Sequence, residues 1–258
     1  MTIVVAHAGA SGHAPANTLG AYRRAHASYD GVWMEFDAQF TSDNELVAVH
    51  DDTLNRTTDW TGFVADYTAN DLKRCNAAAK FDGWETFEPI VTVREILEEG
   101  RDNGWRLIAE IKNIPGQRSF DHSGERYADA FDNLLAETKF PLDALVAICF
   151  WAPTLSALKK INGDVALGYL SVPDLLSAEA NAEICRERGF HVAAPRHSTP
   201  DLTAELVASI HDLGTQVHVW TTNEPDEIAA AVGKDLDGIT SDYPERVYEA
   251  LSRPVAVP

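Results

Sequence analysis

The chain has 258 residues, 45% of them apolar, and sets 21 Lys and Arg against 40 Asp and Glu for a formal net charge of −19. That apolar share supplies a sizeable core and excludes a disordered chain. The acidic excess repels phosphate backbones and anionic lipid surfaces, which argues against nucleic acid or a membrane surface as partner, and the longest apolar runs fall far short of a spanning helix.

The N-terminal MTIVVAHAG has no basic leader, so no signal peptide is expected. Cys75, Cys149 and Cys185 are odd in number and widely spaced, which fits neither a disulfide framework nor a CxxC metal site but suits buried thiols in a reducing cytoplasm. Seven Lys against 14 Arg, with 22 Asp, resembles the surface chemistry of halophilic proteins, a balance that ordinary acidic enzymes also reach.

In chain order, a β-branched run at Ile3–His7 leads to an amphipathic segment at Asn17–Ser28, and a second run follows at Val32–Asp37. Asp43-Asn44 then reads as a hairpin tip and Leu46–His50 as an extra strand, followed by an irregular excursion from about 51 to 88. Its aromatics, Trp60, Phe63, Trp84 and Phe87, are expected to pack a small cap. Alternation resumes with a helix at Thr92–Asn103, opened by Thr92 with Glu95 three residues on, and a strand at Arg106–Ile111. The remaining helices are Gly124–Thr138, Pro153–Ile161, Leu175–Arg188, Asp201–Leu213, Pro225–Val232 and Pro244–Leu251. They are interleaved with strands at Leu145–Cys149, Val165–Tyr169, Phe190–Ala194, Val217–Trp220 and Gly238–Ser241. The strands are near-continuous apolar runs, as parallel strands buried on both faces require. Eight strands alternating with eight helices is the arithmetic of a single α/β domain, a TIM (β/α)8 barrel with a small insertion after its second strand. A doubly wound sheet is the alternative, but no Gly-rich dinucleotide fingerprint follows any strand.

Polar residues interrupt the strands where a barrel mouth belongs. Glu35 and Asp37 lie two apart in an otherwise apolar run and so share a face. Either they form a solvated strand end, or a hard cation such as Mg²⁺ or Ca²⁺ lies between them. Glu110 and Lys112 repeat the spacing, as an ion pair along the strand or as a third carboxylate with a balancing ammonium. His7 and His50 end two strands beside these acids and read as an acid–base pair or as structural histidines. The other seven histidines read as structural, with His13 and His218 within reach of the mouth.

The motifs that contain these residues resemble the glycerophosphodiester phosphodiesterase family across nearly the whole chain. They are His7-Ala8-Gly9, Pro15-Ala16-Asn17-Thr18, Glu35-Phe36-Asp37, His50-Asp51, Arg56-Thr57-Thr58, Glu110-Ile111-Lys112, Trp220-Thr221 and Gly238-Ile239-Thr240-Ser241-Asp242-Tyr243-Pro244. The resemblance implies a TIM barrel that hydrolyses a small phosphodiester with one divalent cation, Mg²⁺ or Ca²⁺ with Mn²⁺ as a further choice. By the same carry-over, Glu35, Asp37 and Glu110 bind the metal, His7 and His50 are catalytic, Lys112 holds a phosphate oxygen and Trp220 lines the alcohol pocket. Two positions depart from the family pattern: Ala8 stands where it has Arg and Ala16 where it has Glu. A binding protein on the same scaffold, or a lyase that releases a cyclic phosphate, are the competing functions.

Overall fold

A computed structural model describes residues 2–252. Its strands are β1 (Ile3–Ala6), β2 (Trp33–Phe40), β3 (Leu46–Ala48), β4 (Arg106–Ile111), β5 (Leu145–Cys149), β6 (Ala166–Ser171), β7 (Val192–Pro195), β8 (Gln216–Val219) and β9 (Gly238–Ser241). All but β3 run parallel, and β1 pairs with both β2 and β9, so eight strands close into a barrel. The intervening helices are α1 (Leu19–Ser28), α2 (Ala69–Leu72), α3 (Val93–Asn103), α4 (Glu125–Thr138), α5 (Ala152–Ile161), α6 (Ala178–Arg188), α7 (Ala204–Asp212), α8 (Pro225–Val232) and α9 (Pro244–Ser252).

Local signals place the helix ends. Thr92 and Glu95 form the expected capping box on α3, and Gly104 and Gly189 close α3 and α6 in the left-handed conformation. Alternate strand residues face outward against the helices, where Met34, Phe36, Leu107, Ala109 and Ala147 join the main core. The opposite faces point inward, and Val5, Ile108, Val146, Leu170, Val192 and Ala194 fill the barrel axis.

The excursion differs from its sequence reading. β2 runs on to Phe40 and turns back through β3, with Ala38 opposite Ala48, while His50 lies just beyond the strand. The small core of this region is chiefly aliphatic, built on Val47, Val49, Leu54, Val64, Leu72 and Ile90 with Cys75, and only Trp60 of the four aromatics packs on it. Phe87 is 51% exposed, and Phe63 stacks under the Arg118 guanidinium 3.8 Å from its ring centre. Smaller aliphatic residues take the interior of this region.

Candidate active site

Parallel pairing of β2 with β4 sets Glu35 opposite Ile108 and Asp37 opposite Glu110. Side chains two apart share a face, so all three carboxylates enter the barrel mouth. They are buried, and one oxygen from each lies within 4.8 Å of the other two. Two of the carboxylates are also anchored by hydrogen bonds from the chain. Glu35 Oε2 accepts the Ala8 N–H at 2.9 Å, and Asp37 Oδ2 accepts Asn17 Nδ2 at 2.7 Å. Lys112 Nζ stands 3.1 Å from Asp37 Oδ1 and 2.8 Å from Glu110 Oε1, an ion contact at angles that make no directed hydrogen bond. Glu35 Oε1 is buried with no donor at all.

Three carboxylates against one ammonium leave this pocket under-neutralised. Burial, reinforced by the charge of Asp37, pushes Glu35 well above the usual carboxylate range. Burial would raise Asp37 too, but Lys112 chiefly, with His50 and His7, holds it low. An orphaned oxygen in an all-oxygen donor set fits a hard divalent cation. Lys112 was expected to reach a phosphate oxygen. It is 3% exposed and lies between the Asp37 and Glu110 carboxylates.

Barrel closure builds the next layer. Ala6 pairs with Ser241, so the residues just past each strand, His7 and Asp242, meet with Nδ1 2.6 Å from Oδ1. Asp242 also accepts Ser11 Oγ and Asn223 Nδ2, each at 2.6 Å. A carboxylate only accepts, so His7 Nδ1 carries the hydrogen and Nε2 points toward Glu35 Oε2, 3.9 Å away. Burial opposes protonation of His7, yet the Asp242 hydrogen bond and the charge of Glu35 raise its pKa to about 9. His50 is held in the same way: its Nδ1 lies 2.7 Å from Asp51 Oδ1, and Arg56 grips Asp51 through Nε at 2.6 Å and Nη2 at 3.1 Å. The two imidazoles meet edge to face with centroids 6.1 Å apart.

An unusual turn ties the first strand to this centre. Ala8, Gly9 and Ala10 all have positive φ, at 47°, 84° and 63°, which turns the Ala8 N–H onto Glu35. A side chain at Gly9 would place its Cβ 2.9 Å from both Ala21 Cβ and Tyr22 Cδ1. Asn17, also left-handed, accepts the Asp37 N–H through Oδ1 while its Nδ2 holds the Asp37 carboxylate. Sequence reading missed Asn17 because a loop Asn looks like an ordinary turn residue. It missed Asp242 as well, although adjacency of first and last strands in a closed barrel was a usable signal.

Trp220 follows β8 at the mouth, where its Nε1 donates to Ala194 O at 2.8 Å and Phe150 meets its ring edge-on with centroids 5.3 Å apart. The indole N–H is thus satisfied internally and the ring offers an apolar wall. His13 pairs with Glu245 at 2.8 Å, away from the acids, whereas His218 enters the barrel beside Glu35 and Trp220.

Fold and site together define a class, a barrel hydrolase acting on an anionic ester. The model of the glycerophosphoryl diester phosphodiesterase family matches residues 7–246, so the chain belongs to that family. A glycerophosphodiester phosphodiesterase of Bacillus altitudinis is 28% identical, with 96% of this chain and 98% of that one aligned. One from Bacillus subtilis is 39% identical over 96% of this chain and 85% of its own. A solved Oleispira antarctica phosphodiesterase, in complex with the product sn-glycerol-3-phosphate, superposes with a TM-score of 0.85 at 27% identity and covers 98% of both chains.

Proposed function

We propose that the protein hydrolyses a glycerophosphodiester, or a closely related small phosphodiester, to an alcohol and a phosphomonoester. The observation that carries this reading is the placement of two carboxylate-held histidines over a buried oxygen triad with an unsatisfied Glu35 Oε1. Glu35, Asp37 and Glu110 hold one divalent cation, Mg²⁺ or Ca²⁺ with Mn²⁺ as a further choice. When bound, it supplies Lewis-acid charge for the phosphoryl oxygens. Lys112 acts as the fixed counter-ion beside Asp37 and Glu110 and keeps Asp37 ionised for binding.

Of the imidazoles at His7 and His50, one takes the proton of the attacking water or substrate hydroxyl and the other protonates the leaving alkoxide. Asp242 and Asp51 fix the Nδ1–H tautomer of each, so that Nε2 does the work. Trp220 packs against the apolar edge of one alcohol. Among the described residues no helix is long and apolar enough to cross a membrane, and the three buried, unpaired cysteines suit a reducing cytoplasm, the location this reading takes. Phosphorus NMR of glycerophosphodiesters incubated with protein and each cation tests the reading. Glycerol phosphate should accumulate in a metal-dependent way. A cyclic phosphate as end product, or no turnover with any of the three cations, overturns it.

A further inference from the structure

Two cavities of very different size meet at His7. The inner one, walled by Trp220 and Ile148, is about 30 Å³. The outer one, between the mouth and the excursion, is about 520 Å³ and is bounded by both histidines, Ala8, Ala16, Lys80 and Phe81. It falls within the range of ligand pockets, ~300–1,000 Å³. Ala8 and Ala16, the two positions that depart from the family pattern, present only methyl groups to its wall.

The charges lining this outer cleft are nearly all committed. Asp242 holds His7, Ser11 and Asn223, and Asp51 holds His50 and the Arg56 fork. Lys80 differs. Its ammonium donates only to the neutral Asn55 carbonyl and, among the described residues, meets no carboxylate, in a chain where acids outnumber bases 40 to 21. Ala77, Pro15 and Phe81 give the same cleft an apolar lining.

We propose that the outer cleft is a subsite for the second alcohol of the diester and selects an alcohol that carries its own negative charge, paired with Lys80. The proposal rests on the phosphodiesterase reading above and adds the substrate class. Phosphorus sits at the triad, the compact arm lies against Trp220, and the larger anionic arm extends between Ala8 and Phe81 toward the Lys80 ammonium.

Two probes separate charge from scaffold: glycerophosphoglycerol, and the same diester bearing a phosphate on its second glycerol. The wild type should favour the phosphorylated diester by about tenfold in kcat/KM, expressed in KM, as expected for one charge-assisted contact. Lys80→Gln should erase that preference and Lys80→Arg should keep it. Ala16→Glu, which returns a carboxylate to the cleft, should reduce it. A preference that survives Lys80→Gln, or a wild type that hydrolyses both diesters equally well, overturns the subsite. Should neither diester be hydrolysed, the phosphodiesterase reading is decided separately by the phosphorus NMR test above, and calorimetric titration of the same two molecules still decides the cleft. Tighter binding of the phosphorylated diester, lost in Lys80→Gln, upholds it, and equal binding overturns it.

Discussion

The arc of the barrel formed by β2 and β4 and the arc formed by β6 and β7 share one architecture and carry opposite chemistry. On the first arc, Glu35, Asp37, Glu110 and Lys112 occupy inward positions and remain buried through a web of hydrogen bonds and ion contacts. On the second, Leu170, Val192 and Ala194 occupy the corresponding positions and need no partners. The difference shows how one fold divides its duties. The apolar arc contributes burial free energy of ~25 cal/mol per Å² removed from water, while the polar arc holds charges that oppose folding until a cation arrives. Substitutions on the two arcs should therefore move stability and activity in opposite directions.

The largest contrast lies in metal removal. Stripping the cation should abolish turnover, and Glu35→Gln should do so permanently by roughly 10³-fold or more, the scale at which charge-stabilising groups act. The same substitution should raise the melting temperature of the metal-free protein, since it removes a carboxylate with a buried, partnerless oxygen. It should also shrink the further rise that Mg²⁺ or Ca²⁺ produces in wild type. Leu170→Ala on the facing arc should do the reverse: a loss of about 2–5 kcal/mol of stability from the cavity, with activity largely kept in the folded fraction. Thermal melts with and without cation, beside activity assays, read both. A Glu35→Gln protein less stable than metal-free wild type would show that the polar arc stabilises the fold after all.

The histidines sharpen the comparison at the next level. His7→Ala and His50→Ala should each lower kcat by roughly 10²–10⁴ while circular dichroism and melting stay near wild type. The prediction for His50 is the cleaner of the two, because its side chain is 41% exposed and its removal disturbs little packing. Normal kcat in either folded variant takes that residue out of the chemistry. Unfolding of both variants would make them structural.

How far the sequence foretold all this follows the same division. The apolar strands were legible, because continuous apolar runs such as Leu145–Cys149 admit few other readings and the capping box at Thr92 punctuates the chain unaided. The triad was legible because carboxylates two apart in such a run require an explanation. What escaped was set by tertiary closure. Asp242 reaches His7 only because β9 returns to β1, and Asn17 clamps Asp37 only because a left-handed turn delivers it. Spacing gave the face that Lys112 shares with Glu110 but not its contacts with both Asp37 and Glu110. The aromatics of the excursion were misjudged because hydrophobicity alone does not say which residues fill the interior.

The smallest expected effect comes from His218, a buried polar group beside Glu35 and Trp220. It is 6% exposed, and Gly238 opposite it leaves room for the ring, since a Cβ there would lie 2.7 Å from His218 Cγ. Burial holds its pKa at about 4, against 6.5 for an ordinary histidine, with only the charge of Asp237 pulling the other way. Between those values the unfolded chain binds a proton that the folded chain refuses, so stability falls as pH drops from 6.5 toward 4 and rises again with pH. The loss by pH 4.5 should come to about 2–3 kcal/mol, taking 1.36 kcal/mol for each pH unit below 6.5. Carboxylates elsewhere also titrate in this range, so the informative quantity is a difference. Urea midpoints of wild type and His218→Gln, compared at pH 7 and pH 4.5, should show the variant losing less stability on acidification by about that amount. A bound cation nearby would only press the imidazole further toward its neutral form, so the sign holds with or without metal. Parallel pH dependence in the two proteins would mean that His218 charges freely inside the barrel, and the interior would then have to be wetter than its apolar lining implies.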